Sequence, residues 1–234
     1  MSQIFGFAGH WTSFDPAVLR QHVPDGLNTT EIAPTPALIA ARDTARRGNL
    51  LVALRGQPVW TRDGRYTRDG ADCEGILAAY GARGMALLED LRGRFALAIV
   101  DGDRRRVMLA IDPMGIERLC WAISGDGLVF SDSAEAVANF PPLRASLRAQ
   151  AVHDFLLMHM IPAPDTAFDG VHKLEPGMKL VFEDGRASLD RYWTPQFSER
   201  RSESPEALKK SLRDTLDAAV ARCRPDAQTG AFLS

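Results

Sequence analysis

Residues 91–113 read Leu91-Arg92-Gly93-Arg94-Phe95-Ala96-Leu97-Ala98-Ile99-Val100-Asp101-Gly102-Asp103-Arg104-Arg105-Arg106-Val107-Met108-Leu109-Ala110-Ile111-Asp112-Pro113. The run Arg94–Asp101 leads through Gly102-Asp103 into a second run, Arg106–Ile111. Two short apolar runs joined by Gly/Asp turn residues predict an antiparallel hairpin. The same pattern recurs outward along the chain. Leu119–Ser124 passes through Gly125-Asp126-Gly127 into Leu128–Ser131, and Met178–Glu183 turns at Asp184-Gly185 into Ala187–Tyr192. Ile4–Gly9 and Leu50–Leu54 are further apolar runs and predict strands. Residues 10–36 are rich in Pro, Asp, Thr and Asn and read as irregular, with one helical turn near Pro16–Gln21; residues 36–46 are ambiguous.

Helices interleave with these strands. Asp72 is a suitable N-cap for a helix carrying Ile76, Leu77 and Tyr80, with Gly81 and Gly84 near its end. Met85–Leu91, Asp132–Ala138 and Gln150–Met160 predict three more, the last ended by Pro162-Ala163-Pro164. Residues 195–205 read as a polar linker. Ala207–Arg222 is amphipathic, with Leu208, Leu212, Leu216 and Val220 at four-residue spacing. Gly230–Ser234 begins another apolar strand. Hairpins interleaved with helices predict an α+β layered fold.

Bulk properties narrow the function. The chain has 234 residues, 28 Lys plus Arg against 30 Asp plus Glu, and a net charge of −2, which gives no footprint for nucleic-acid binding. No apolar run reaches membrane-spanning length. The three cysteines, Cys73, Cys120 and Cys223, fit no metal spacing and are expected as reduced thiols in a cytoplasmic protein. His10, His22, His153, His159 and His172 form no ligand pattern, so no metal site is expected.

Several stretches together resemble the asparagine synthetase family. Gly70-Ala71-Asp72-Cys73-Glu74 with Ile76, Leu77 and Tyr80 is similar to that family's helix start. Leu91-Arg92-Gly93-Arg94-Phe95-Ala96-Leu97-Ala98 resembles its Leu-x-Gly-x-Phe-Ala-Phe-Ala strand. Asp112-Pro113-Met114-Gly115 is similar to its Arg-Asp-Pro-x-Gly turn, with Ile111 at the arginine. Phe130-Ser131-Asp132-Ser133-Ala134-Glu135-Ala136 stands where the family has Phe-Ala-Ser-Glu-x-Lys-Ala. Phe168-Asp169-Gly170-Val171, Leu174-Glu175-Pro176-Gly177 and Tyr192-Trp193 resemble the hairpin before its linker, and Gly230–Ser234 resembles the run into its Ser-Gly-Gly-x-Asp-Ser loop. The likeness covers residues 70–234 in order; residues 10–60 carry little of it.

The resemblance implies a four-layer αββα sandwich of the N-terminal-nucleophile hydrolase type. Residues 1–194 would form a type-2 glutamine amidotransferase-like domain. Residues 195–234 would be a linker and the first helix and strand of an ATP pyrophosphatase (synthetase) domain. In that family the first domain hydrolyses glutamine to ammonia, and the second activates a carboxylate with ATP and Mg²⁺.

The family's nucleophile is a cysteine exposed as the first residue, whose free amine serves as its base. Here Ser2 holds that place. Two readings stay open: a serine nucleophile, or a site kept for folding without hydrolysis. The departures favour the second. The Arg-Gly-Pro-Asp segment that holds the substrate carboxylate has no counterpart. The family's Asn-Gly-Glu aligns with Arg55-Gly56-Gln57, of which Gly56 alone is retained. Asp72 matches the aspartate that grips the substrate amine, and it also suffices as a helix cap. With Ile111 before it, Asp112 reads as a turn residue.

The candidate sites are therefore Ser2 as a degenerate nucleophile position, Arg55, Gly56, Gln57 and Asp72 for substrate, and Phe232, Leu233 and Ser234 at the start of a nucleotide site. No cofactor is expected in this chain, with ATP and Mg²⁺ belonging to the whole enzyme. Expected partners are glutamine or a precursor peptide, the synthetase domain, and a second copy as a homodimer, without nucleic acid or membrane. Family members that form amides without glutamine, such as lasso-peptide macrocyclases, also lose the cysteine and are the second reading. A non-catalytic interaction module is the third.

Overall fold

The computed structural model describes residues 3–9, 20–32, 37–62, 65–197, 203–223 and 226–230. The chain divides into two compact units, residues 1–194 and 195–234. The described strands are β1 (Ile4–Ala8), β2 (Asn28–Ile32), β3 (Ala37–Ala41), β4 (Asp43–Arg47), β5 (Leu50–Arg62), β6 (Arg65–Thr67), β7 (Leu91–Asp101), β8 (Arg106–Ile111), β9 (Cys120–Ser124), β10 (Gly127–Ser131), β11 (His172–Lys173), β12 (Met178–Glu183) and β13 (Arg186–Arg191). The described helices are α1 (Cys73–Arg83), α2 (Ala134–Ala138), α3 (Ala149–Met158) and α4 (Pro205–Arg222), with a 3-10 turn at Gly84–Glu89.

Two sheets result, ordered β11-β9-β10-β1-β3-β2 and β13-β12-β8-β7-β5-β4, with β6 added to β5. The predicted hairpins form. β7 pairs antiparallel with β8 from Ala96↔Ile111 to Asp101↔Arg106, β9 with β10, and β12 with β13. The last turns on Asp184-Gly185, both at positive φ (49° and 75°). Those angles fit a two-residue hairpin turn whose twist matches the strands, and an Asp-Gly pair adopts them at little cost.

β7 shows why its sequence is apolar throughout. Side chains alternate across a strand, so each face needs its own cover. Ala96, Ala98 and Val100 join Leu51, Ala53, Val107 and Leu109 of the same sheet and Ile4, Ile39, Leu128 and Phe130 of the other, in a core between the sheets. Phe95, Leu97 and Ile99 point the other way. They pack with Ile76, Leu77 and Tyr80 of α1 and Leu87 and Leu88 of the 3-10 turn. A third core sets Phe5, Phe7, Leu38 and Val129 against Val137 and Ala138 of α2 and Phe140.

Several sequence expectations change. Residues 28–32, read as irregular, form β2, the edge strand of its sheet. An edge strand pairs on one side and tolerates polar residues. The ambiguous segment at 36–46 resolves into β3 and most of β4. β5 runs eight residues past Leu54, through Pro58, to Arg62. Between Arg55 and Val59 the described partner of β5 is β7 alone, so Pro58 has no ladder bond to lose on the other side. Asp132 precedes its helix, and Ser133 is the cap, accepting from Ala136 N. The short helix expected at 85–91 is the 3-10 turn. α3 ends at Met158 because His159 turns left-handed at φ 56°, before the prolines. The turn expected at Pro16–Gln21 lies largely outside the described residues.

In the second unit, α4 starts at the Ser204 cap with Pro205 behind it and contains no buried residue. Leu212, Leu216 and Val220 are exposed along it.

Candidate functional site

Ser2 lies outside the described residues, but the residues that follow it are held in place. The amide of Gln3 donates to both carboxylate oxygens of Asp132, at 2.9 and 3.1 Å. The Ile4 amide reaches the same carboxylate at 3.5 Å. Ser131 Oγ donates to the Ile4 carbonyl at 2.9 Å. The start of β1 is therefore held by the residues that end β10, and Asp132 is the anchor. A carboxylate buried to this degree must be paired or hydrogen-bonded, and Arg55 supplies the charge through an ion pair from its Nη1. Arg55 Nε also pairs with Glu117 at 2.8 Å, and Arg94 reaches Glu117 at 3.3 Å. Arg118 Nε donates to the Asp132 carbonyl at 3.1 Å.

Asp112 fixes the loop that carries Glu117. It is fully buried. Its carboxylate accepts from four backbone amides: Glu117 at 2.9 Å, Ile116 at 3.0 Å, Met114 at 3.1 Å and Phe95 at 3.3 Å. Its carbonyl accepts from Gly115 and Gly177, each at 3.1 Å. The turn reading of Asp112 is thus incomplete, because the same carboxylate also ties β7 to the loop. The charge that an arginine at position 111 would have met is met by backbone dipoles. Tyr192 closes this region, its hydroxyl donating to the Ile111 carbonyl at 2.6 Å.

The four candidate substrate residues do not come together. Gly56, Gln57 and Asp72 line one hollow of about 590 Å³, with Arg42, Asp43, Arg68 and Cys73 among its other walls. Arg55 lines another of about 660 Å³ with His22, Arg118, Asp132 and Glu135. Alternation along β5 puts Arg55 and Gly56 on opposite faces of the sheet; Gln57, two residues from Arg55, lines the Gly56 hollow in spite of it. Gly56 sits at φ 104°, and a Cβ there would lie 2.4 Å from the Arg94 carbonyl, so the close approach of β5 to β7 requires glycine. Gln57 accepts from Arg68 at 3.3 Å. Asp72 accepts from Gly75 N at 2.9 Å, the N-cap bond.

Cys73 stands beside Asp72 in the first hollow, but it is no nucleophile. Burial, reinforced by the carboxylates of Asp43 and Asp72, pushes its thiol up to about 12, so it stays protonated at neutral pH. Burial likewise pushes Cys120 to about 11. Cys223 is exposed in the second unit. Phe232, Leu233 and Ser234 lie outside the described residues. Among the described residues no group of three His, Cys, Asp or Glu side chains could hold a metal ion, and no helix is long and apolar enough to cross a membrane.

Asp132 and Glu117 escaped the sequence reading as site residues. Asp132 sits in a turn-like Ser-Asp-Ser context, and its partner Gln3 is 129 positions away, so no local pattern marks it. The departure of Ser131-Asp132-Ser133 from Ala-Ser-Glu was the available signal.

Comparison with known proteins places the chain in a family. The family described as the glutamine amidotransferase domain matches residues 55–193, more than half of the chain. A provisionally named glutamine-hydrolysing asparagine synthetase of Mycobacterium bovis is 29% identical over 182 residues, covering 74% of this chain and 28% of that protein. A similarly named protein of Methanocaldococcus jannaschii is 21% identical over 222 residues, covering 91% and 42%. Asparagine synthetase (glutamine-hydrolysing) 1 of Bacillus subtilis is 26% identical over 166 residues, covering 70% and 26%. The chain thus spans well under half the length of these relatives. It belongs to the glutamine amidotransferase domain family, in the form carried by the asparagine synthetase family.

Proposed function

We propose that residues 1–194 are a four-layer αββα sandwich of the N-terminal-nucleophile type. They serve as the amidotransferase-like part of an ATP-dependent, amide-forming enzyme of the asparagine synthetase kind, and they do not hydrolyse glutamine. The layering is supported by the three cores, one between the sheets and one on each outer face.

A single observation carries the loss of hydrolysis: Arg55 is held by Glu117 and Asp132. Acyl transfer needs a donor aimed at the oxygen that becomes negative in the transition state, and removing one such donor typically costs ~10²–10³ in rate. Arg55 aligns with the family's amide-bearing asparagine. Its Nε and Nη1 donors are committed to two carboxylates and its charge is already compensated. Ser2 is a weaker nucleophile than a thiolate, and neither buried cysteine can replace it.

The same observation suits a second reading, a glutamine-independent amide synthetase of the lasso-peptide macrocyclase type. There the amine comes from the peptide itself, and ammonia is not needed. In either case ATP and Mg²⁺ belong to the whole enzyme.

The test is ammonia release from L-glutamine at neutral pH, with Ser2→Ala as the reference. The expected result is release no greater than in the reference. Glutamine-dependent release abolished by Ser2→Ala would overturn the reading.

A further inference from the structure

The contacts of Arg55 form a continuous chain. Gln3 donates to Asp132, Asp132 pairs with Arg55, Arg55 pairs with Glu117, and Glu117 is reached by Arg94. This path links the start of β1, the end of β10, the middle of β5, the 112–119 loop and the start of β7. The two carboxylate side chains are only 2% and 6% exposed, and Arg55 is 29% exposed. Solvent ions cannot easily take the place of its guanidinium there. Packing offers no comparable tie, because Arg55 faces a polar hollow shared with Arg118, Asp132 and Glu135.

We infer that Arg55 is a positioning residue whose charge locks the start of β1 and the 112–119 loop onto β5. The inference stands on the ion pairs and goes beyond the non-hydrolysing reading. Releasing both segments from β5 requires both ion pairs to part. The loop end at Asp112 and the strand start at Gln3 each have their own anchors, and Arg118 Nε joins the loop to the Asp132 carbonyl; the lock adds the charged tie that brings both onto β5.

Peptide-resolved amide hydrogen exchange on the full chain at pH 7 tests this. Arg55→Met keeps the length of the side chain and removes the charge; Arg55→Lys keeps the charge. Arg55→Met is expected to speed exchange about ten-fold or more at residues 3–4 and 113–118, without change in α1 or the β12–β13 hairpin. Arg55→Lys should stay within about three-fold of the parent chain, since one carboxylate can still be paired. A packing role would reverse that ranking. Unchanged exchange in Arg55→Met, uniform loosening of residues 1–194, or equal behaviour of Met and Lys would each overturn the lock. Glu117→Gln is the second variant should Arg55→Met fail to fold. It should loosen 113–118 more than residues 3–4, which Asp132 still holds, and equal or absent loosening would count against the lock. The ammonia assay runs alongside. Hydrolysis in the parent chain would sink the functional reading and leave the exchange result standing, whereas flat exchange would sink the lock alone.

Discussion

Replacing Asp112 by alanine should be among the most damaging single changes in residues 1–194. The side chain is fully buried and accepts four backbone amides. Hydrogen bonds to a charged acceptor contribute roughly 1.5–3 kcal/mol each, and a buried donor left unpaired costs about 1–3 kcal/mol. The Phe95 and Glu117 amides are the two in buried settings, whereas Met114 and Ile116 can turn to water. Relief of a buried charge offsets part of the loss. The expected destabilisation is therefore ~3–5 kcal/mol, with Asp112→Asn at ~2–4 kcal/mol because one oxygen remains and an NH₂ group now faces two amides. In thermal terms that is roughly 6–20 °C for a domain of this size. Urea unfolding followed by tryptophan fluorescence is a suitable assay, because Trp60, Trp121 and Trp193 all lie in the first unit. A change in Asp112→Ala below about 1 kcal/mol, with the denaturant slope unchanged, would refute the view that this carboxylate carries the loop.

Four further outcomes follow from the same geometry. In a thiol-reagent titration at pH 8, Cys223 should react in the native protein, and Cys73 and Cys120 only after denaturation. Burial raises both inner thiols from 9.0, to about 12 and about 11, and also raises the Tyr80 and Tyr192 hydroxyls. The unfolded chain then loses these protons first, so the contribution to stability is complete below pH ~9 and declines as the pH climbs toward 11. A urea midpoint that is flat over that range would contradict it. Gly56→Ala should cost about 3 kcal/mol or more, because its Cβ would meet the Arg94 carbonyl at 2.4 Å on a φ of 104°, and a near-parental midpoint would show that β5 can move away. Phe155→Asp, on the exposed face of α3 at 53% exposure, should leave stability within about 0.5 kcal/mol while lowering apolar-dye binding; a large loss of stability would mean that this face is packed in solution.

The hairpins were legible because Gly/Asp turns and apolar runs are local signals. Asp72 announced its helix for the same reason, since a cap and its amide lie three residues apart. β2 was hidden by its polar edge position, and β3 by its composition, Ala-Leu-Ile-Ala-Ala, which lacks most of the β-branched signal although every residue is buried. The strand read over Leu50–Leu54 stops where the apolar run stops, yet β5 continues through Gly56-Gln57-Pro58 to Arg62. The site was harder. Arg55 was found through likeness and placed with Gly56 and Gln57, but it lines another hollow, and alternation along β5 separates it from Gly56. Asp132 and Glu117 gained their roles from partners distant in the chain, which local patterns do not register.

The placement of Arg55 and Gly56 on opposite faces of one strand sets how this protein can be altered. Substitutions at Arg55 and at Gly56 act on separate hollows, so the damage from each falls on its own side of the sheet. A deletion of one residue upstream in β5 is a different event. It would exchange the faces of every later position, deliver Arg55 to the α1 side and Gly56 to the Asp132 side, and empty both sites at once. Replacement in this region therefore damages one site at a time, whereas altered length damages both.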